Sequence, residues 1–174
     1  MVQASGSPRP VSIIGLDPGL RHTGWGIIRQ EGTHLSFVAC GRIDSTTTLD
    51  MASRLRQLHE GLMAVLEAHR PDEAAVEETF VNRDPQSALK LGQARGIALL
   101  VPALMACPVA EYAANVVKKT VVGAGHADKD QVAMMVKVLL PKVTAASADA
   151  FDALAVAITH AQHRASRQRL ARLA

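Results

Sequence analysis

Four carboxylates stand where a folded chain does not place charge without a use for it. Asp17 ends the apolar run Val11 to Leu16 (VSIIGL) and precedes Pro18-Gly19. Glu77 follows the apolar triplet Ala74-Ala75-Val76. Asp149 and Asp152 are spaced i, i+3, so a helix puts them on one face. Around and after them the sequence is apolar, from Ala150 to Ile158. No lysine or arginine lies within a helical turn of either Asp. An isolated buried carboxylate is costly, and divalent cations are the natural partners of hard oxygen ligands. Two such cations about 4 Å apart activate a water and stabilise the leaving oxygen of a phosphodiester. Each residue also has an ordinary reading: a turn for Asp17, a solvated strand edge for Glu77 and Glu78, a helix N-terminal charge for Asp149. Together, on three elements of one small domain, they point to a metal-dependent hydrolase.

The basic residues nearest in kind are Lys118, Lys119 and Lys129, which flank the glycine-bearing loop Gly123 to Lys129. Such a loop is placed to close on a phosphate backbone, with contacts that position without reading sequence. A solvated surface is the competing reading. Phe80 stands three residues beyond Glu77, where a strand gives way to Asn82-Arg83-Asp84. It reads either as a cap on the next helix or as a ring that stacks on an unpaired base. His160 and His163 are spaced i, i+3 and could pair on a metal, but they lie two to three turns beyond Asp152 and read as surface residues; His126 could reach DNA but reads as a polar loop residue. No Ser-His-Asp arrangement supports a covalent intermediate, so water is the expected nucleophile.

The elements that must hold these groups follow from periodicity and turn signals. Val11 to Leu16, Trp25 to Arg29 and His34 to Ile43 read as an antiparallel meander. Leu49 to His69 is amphipathic and helical, ended by Pro71. Glu73 to Phe80 is a fourth strand. Asp84-Pro85 starts a helix that runs to about Leu100 and bends or stops at Pro102. Val109 to Tyr112 is a fifth strand. Helices follow at Ala113 to Val121, at Asp130 to Leu140, and from Ser147 into the C-terminal arginines. Strand–helix–strand units imply parallel pairing. The expected fold is α/β: a mixed five-stranded sheet flanked by helices on both faces.

The 174 residues fit one domain. Hydrophobic residues make up 48% and charged residues 20%, a globular composition. Cys40 and Cys107 form no Cys-x-x-Cys, which excludes a zinc knuckle or disulfide framework and fits a reducing, cytoplasmic setting. The polar start, MVQASGSPRP, lacks a signal core. The longest uncharged run, Gly96 to Ala110, is 15 residues; a membrane-spanning helix needs about 20. The net charge of +3 is unevenly spread, with an acidic first half, a basic middle and a tail from Arg164 bearing four arginines and no acid.

The segments IIGLDPGLRHTGWGII, AVEETF, SALKLGQARG, EYAANVVKKTVVG and SADAFDALAVAITH resemble the RuvC family of Holliday-junction resolvases, the crossover junction endodeoxyribonucleases. The resemblance runs from about Ile13 to His163. It implies a ribonuclease-H-like domain over 11–163 with a basic tail at 164–174. It also implies a homodimer that resolves four-way DNA junctions in recombination and repair, alongside the branch-migration proteins RuvA and RuvB. Its paired nicks would use Mg²⁺ or Mn²⁺, two per site, and leave 5′-phosphate and 3′-hydroxyl ends. The family's acidic quartet falls on Asp17, Glu77, Asp149 and Asp152, its aromatic on Phe80, and its DNA-contacting lysines on Lys118 and Lys129. Two other classes compete. Asp-x-Gly after a first strand also occurs in sugar-kinase and actin-type ATPases, but these need two such domains. A non-enzymatic junction binder would have no use for four carboxylates beside phosphate. The helix from Ser87 to Leu100, apolar on more than one side, reads as buried or as a two-fold interface.

Overall fold

The computed structural model describes residues 9–78, 84–144 and 146–171, the last five by backbone alone. Its elements in chain order are β1 (Val11–Asp17), β2 (His22–Glu31), β3 (His34–Asp44), α1 (Met51–His69), β4 (Glu73–Glu78), α2 (Pro85–Leu104), β5 (Val109–Ala113), α3 (Ala114–Val122), α4 (Lys129–Leu139) and α5 (Ala148–Ala171). One sheet has the order β3-β2-β1-β4-β5. β1 pairs antiparallel with β2, and β2 with β3; β1 pairs parallel with β4, and β4 with β5. The mixed five-stranded sheet expected from the sequence is therefore present.

Alternation along β1 divides the molecule. Ile14 and Leu16 turn to one face, where Leu62 and Leu66 of α1 and Ala98 and Val101 of α2 cover them. Ile13 turns to the other, with Ile28, Ala75 and Tyr112, under Val132 and Val136 of α4 and Leu154, Ala157 and Ile158 of α5. Helix starts are set by short acidic side chains. Asp50 accepts from the Ser53 amide of α1, Asp84 from Gln86 and Ser87 of α2, and Asp128 and Gln131 form a capping box on α4.

At two glycines the backbone of α5 lies directly against the sheet, with no side chain between them. A Cβ on Gly15 would sit 2.0 Å from the carbonyl oxygen of Ala153, and one on Gly24 would sit 2.0 Å from that of Asp149. Glycine at these positions is what permits so close an approach.

Three expectations need correction. The helix α2 does not stop at Leu100 but runs through Pro102 to Leu104. Proline removes a single donor, and here that loss falls in the last turn, while Val101 and Pro102 are buried against the sheet. The chain ends the helix instead at Ala106, with φ of 56°. The second strand begins at His22, not Trp25, because the ladder to β3 reaches His22 opposite Asp44 despite the weak strand preference of Gly24. His160 is not a surface residue: it is buried. Its Nδ1 lies 2.9 Å from the Tyr112 hydroxyl and its Nε2 lies 2.6 Å from Glu73 Oε2, while Arg164 Nε donates to Glu73 Oε1 at 2.8 Å.

That network makes Glu73 a stabilising anion. Burial opposes its charge, but the bonds from Arg164 and His160 prevail and hold its pKa below the ordinary value. A carboxyl depressed on folding contributes stability above its unfolded pKa and loses it as pH falls through the folded one. Glu73→Gln should therefore lower the melting temperature at pH 7, by the equivalent of about 1–3 kcal/mol for a lost charged hydrogen bond. The gap from wild type should close as pH drops below about 4. Thermal melts from pH 3 to 7 check this; a gap independent of pH would show that only packing was lost.

Candidate active site

Parallel register places the first two carboxylates. Leu16 of β1 pairs with Val76 of β4, so the next residues, Asp17 and Glu77, stand side by side at the carboxyl ends of adjacent parallel strands. Both follow the parity of Gly15 and Ala75 and so face α5. In open α/β sheets this is where binding crevices form. The contact of α5 with Gly24, itself opposite Asp17, brings the first turns of that helix over the same spot. A cleft of about 270 Å³ results, lined by Asp17, Glu77, Lys118, Lys129 and Asp152, with Ala114, Val117, Val132 and Ala155 as apolar walls. A larger cavity of about 550 Å³ lies at the other end of the β2–β3 hairpin; Gln30, His34, Leu139 and Ala161 help line it and no acid does.

The residues singled out in the sequence are thus not all treated alike. Asp17, Glu77, Asp152, Lys118 and Lys129 share the cleft. Asp149 stands beside it, its Oδ2 3.9 Å from Arg42 Nη1. Lys119, one residue and about 100° around α3 from Lys118, is exposed and outside the lining. Phe80 lies outside the described residues. The sequence pointed to Lys129 as a DNA contact but not as a partner of Asp152, and passed over Arg42, because cations for the two α5 carboxylates were sought along the helix. They come from other elements: Lys129 Nζ reaches Asp152 Oδ2 at 3.0 Å from the start of α4, and Arg42 reaches over from β3. Arg42 is the register partner of Gly24, a pairing that strand alternation could have suggested.

The cleft is under electrostatic strain. Burial pushes the Asp17 carboxyl up to about 8, and Glu77, Asp152 and Asp149 push in the same direction against the pull of Lys129. Burial pushes Glu77 up to about 7, with Asp152 adding to the rise and Lys129 and Lys118 opposing it. Lys129 is raised, chiefly by its hydrogen bond to Asp152. Perturbation of this kind, in a cleft, marks a candidate functional site.

In donor type and charge the set suits a divalent cation: hard oxygens from three elements, crowded and short of positive charge. Among the described residues no three acidic, histidine or cysteine side chains converge tightly enough to enclose a cation as they stand. Two of the four carboxylates are turned toward Arg42 and Lys129.

Comparison with known proteins gives the class first. The fold is ribonuclease-H-like. It matches the *Thermus thermophilus* RuvC solved in complex with a Holliday junction substrate with a TM-score of 0.83 and 31% identity, over 90% of this chain and 96% of that one. The chain is 61% identical over 162 residues to the crossover junction endodeoxyribonuclease RuvC of *Rhodopseudomonas palustris*, covering 93% of each. It is 67% identical over 157 residues to that of *Methylocella silvestris*, covering 90% of this chain and 89% of the relative. The family described as crossover junction endodeoxyribonuclease RuvC matches residues 13–160. The chain belongs to the RuvC family of crossover junction endodeoxyribonucleases.

A carboxyl raised on folding reduces stability as pH climbs from its ordinary value through the raised one. In chelator, the wild type should lose melting temperature between pH 5 and 8. Asp17→Asn, which removes the most perturbed charge, should flatten that decline and melt higher than wild type at pH 8. Each kcal/mol relieved appears as about 2–4 °C in a chain of this size. An Asn variant that melts below wild type at pH 8 would show that Asp17 is not an unfavourable charge.

Proposed function

We propose that this protein resolves four-way DNA junctions by paired symmetric nicks, leaving 5′-phosphate and 3′-hydroxyl ends. The observation that carries the reading is the cleft itself, in which half-buried carboxylates on β1, β4 and α5 are flanked by lysines from α3 and α4. Asp17, Glu77, Asp149 and Asp152 would hold Mg²⁺ or Mn²⁺, two ions per site. When bound, the metal supplies the positive charge that admits a phosphodiester to an acidic cleft and makes water a competent nucleophile. Lys118 and Lys129 take phosphate oxygens and set the strand's path across the carboxylates. The apolar walls, Val117, Val132 and Ala155, keep bulk water from the reacting phosphate and strengthen every charge interaction inside. Phe80 stacks on a base unpaired at the junction centre, and Lys119 contacts the backbone from outside the cleft.

The nuclease domain spans 11–163 and the basic tail 164–174. The boundary falls within α5, and Arg164, the first arginine of the tail, is bonded to Glu73 of the domain. Two-fold pairing through α2 supports a homodimer: Leu89, Leu100 and Leu104 are exposed on that helix, and a symmetric junction calls for two sites. The enzyme works in the cytoplasm with RuvA and RuvB. Among the described residues no helix is long and apolar enough to cross a membrane.

A synthetic four-way junction incubated with Mg²⁺, Mn²⁺ or chelator tests the reading. Wild type should cut with either metal and not with chelator. Asp17→Asn should abolish cutting while binding the junction as well as wild type or better, since the change removes a charge that repels phosphate. Lys118→Ala should instead weaken binding and lower its salt dependence by roughly one phosphate contact. Nicking by Asp17→Asn at near the wild-type rate would refute the assignment.

Phe80→Ala should lower cleavage about tenfold or more with folding and metal binding preserved, in keeping with a stacking contact of about 1–3 kcal/mol. Fluorescence of 2-aminopurine at the junction centre reports the unstacking. An unchanged signal and rate, with a lowered melting temperature, would leave Phe80 a packing residue.

A further inference from the structure

Asp17, Gly24 and Arg42 form one row across three strands, Asp17 opposite Gly24 and Gly24 opposite Arg42. Paired residues of antiparallel strands share a face, so Arg42 points to the side covered by α5. The glycine between them leaves room for the first turn of that helix, and Asp149 sits there. Arg42 is gripped from behind. Its Nε lies 2.7 Å from Asp44 Oδ1 and its Nη2 donates to Asp44 Oδ2 at 3.2 Å. Asp44 is bonded in turn to His22 Nδ1 at 2.7 Å. What remains of the guanidinium is Nη1, and it faces Asp149 at 3.9 Å. This is an ion pair too long for a hydrogen bond.

The grip matters because a guanidinium that donates two hydrogen bonds to one carboxylate keeps its place. Arg42 therefore attracts Asp149 from a fixed position outside the cleft. We infer that Arg42 is a positioning residue that holds Asp149 toward β3 and competes with a divalent cation for that carboxylate, so setting how strongly the cleft takes up metal. The inference rests on the reading of the cleft as a divalent-cation site. The length of the pair lets a cation win Asp149, and the Asp44 clamp keeps the arginine from following it in.

Mn²⁺ titration of the DNA-free protein, with free Mn²⁺ read by electron paramagnetic resonance, tests this without any turnover. Arg42→Gln should bind Mn²⁺ about threefold more tightly or better, the scale expected when one charge is removed several ångström from a divalent ion at a protein surface. Asp44→Asn should bind it more weakly than wild type, because the released guanidinium can settle on Asp149. Arg56→Gln, which neutralises an exposed arginine of α1, should match wild type and shows that net charge alone is not responsible. Arg42→Gln binding Mn²⁺ as wild type does, or more weakly, overturns the inference while leaving the cleft reading intact. Asp17→Asn binding Mn²⁺ as well as wild type overturns both. If Arg42→Gln does not fold, Asp44→Asn decides: affinity equal to or above wild type overturns the inference.

Discussion

The backbone of α5 rests on the backbones of β1 and β2, and that contact is possible only because Gly15, Gly24 and Gly26 carry no side chains. Each would place a Cβ within 2.0 to 2.6 Å of the helix. Interiors pack too densely to absorb such an overlap, so any larger residue there would lift the helix off the sheet. The contact costs the chain the packing that three side chains would have given. It gains a helix whose first turns lie over the carboxyl ends of β1 and β4. Asp149 and Asp152 ride on those turns, so their distance from Asp17 and Glu77 is set by the glycines. Displacements of about an ångström are enough to spoil hydrolytic geometry.

Crowding four acids in this way works against folding. The two most buried, Asp17 and Glu77, are both pushed far above the ordinary carboxyl range. The chain offsets the strain with cations drawn from opposite sides of the cleft, Lys129 from α4 and Arg42 from β3. The remaining support is apolar: Leu154, Ala155, Ala157 and Ile158 of α5 are fully buried on the sheet. A site this unfavourable in charge persists because the helix that carries half of it is continuously buried from Ala153 to Ala161.

Much of this was legible in the sequence. Hydrophobic runs and turn residues located all five strands, and the Asp84-Pro85 signal marked the start of α2. The carboxylates stood out because each interrupted an apolar run. What escaped depends on contacts between residues distant in sequence. His160 looked like a surface histidine because it lies two to three turns beyond Asp152, away from the acidic end of the helix. Its partners, Tyr112 and Glu73, are 48 and 87 residues away. Arg42 was passed over for the same reason: its relation to Asp149 exists only through the β2–β3 register. The overrun of α2 past Pro102 reflects burial outweighing a local rule that concerns a single hydrogen bond.

Two points on α5 are tied to β4 by a match of lengths. Asp152 and His160 are eight residues apart, which a helix converts to about 12 Å. Glu77 and Glu73, their counterparts on β4, are four residues apart, which a strand converts to about 13 Å. The helix runs antiparallel to the strand, so the His160–Glu73 bond at one end and the Asp152–Glu77 neighbourhood at the other are compatible in one register alone. A slip of one residue along the helix would turn its side chains by about 100°. That would remove the imidazole from Glu73 and the carboxylate from the cleft together. The partly buried network of Tyr112, His160, Glu73 and Arg164 therefore does more than stabilise the far end of the sheet. It fixes the helix along its axis as the glycines fix its height above the sheet. These two constraints, one polar and one steric, together determine where the acidic side chains of α5 meet those of the strands.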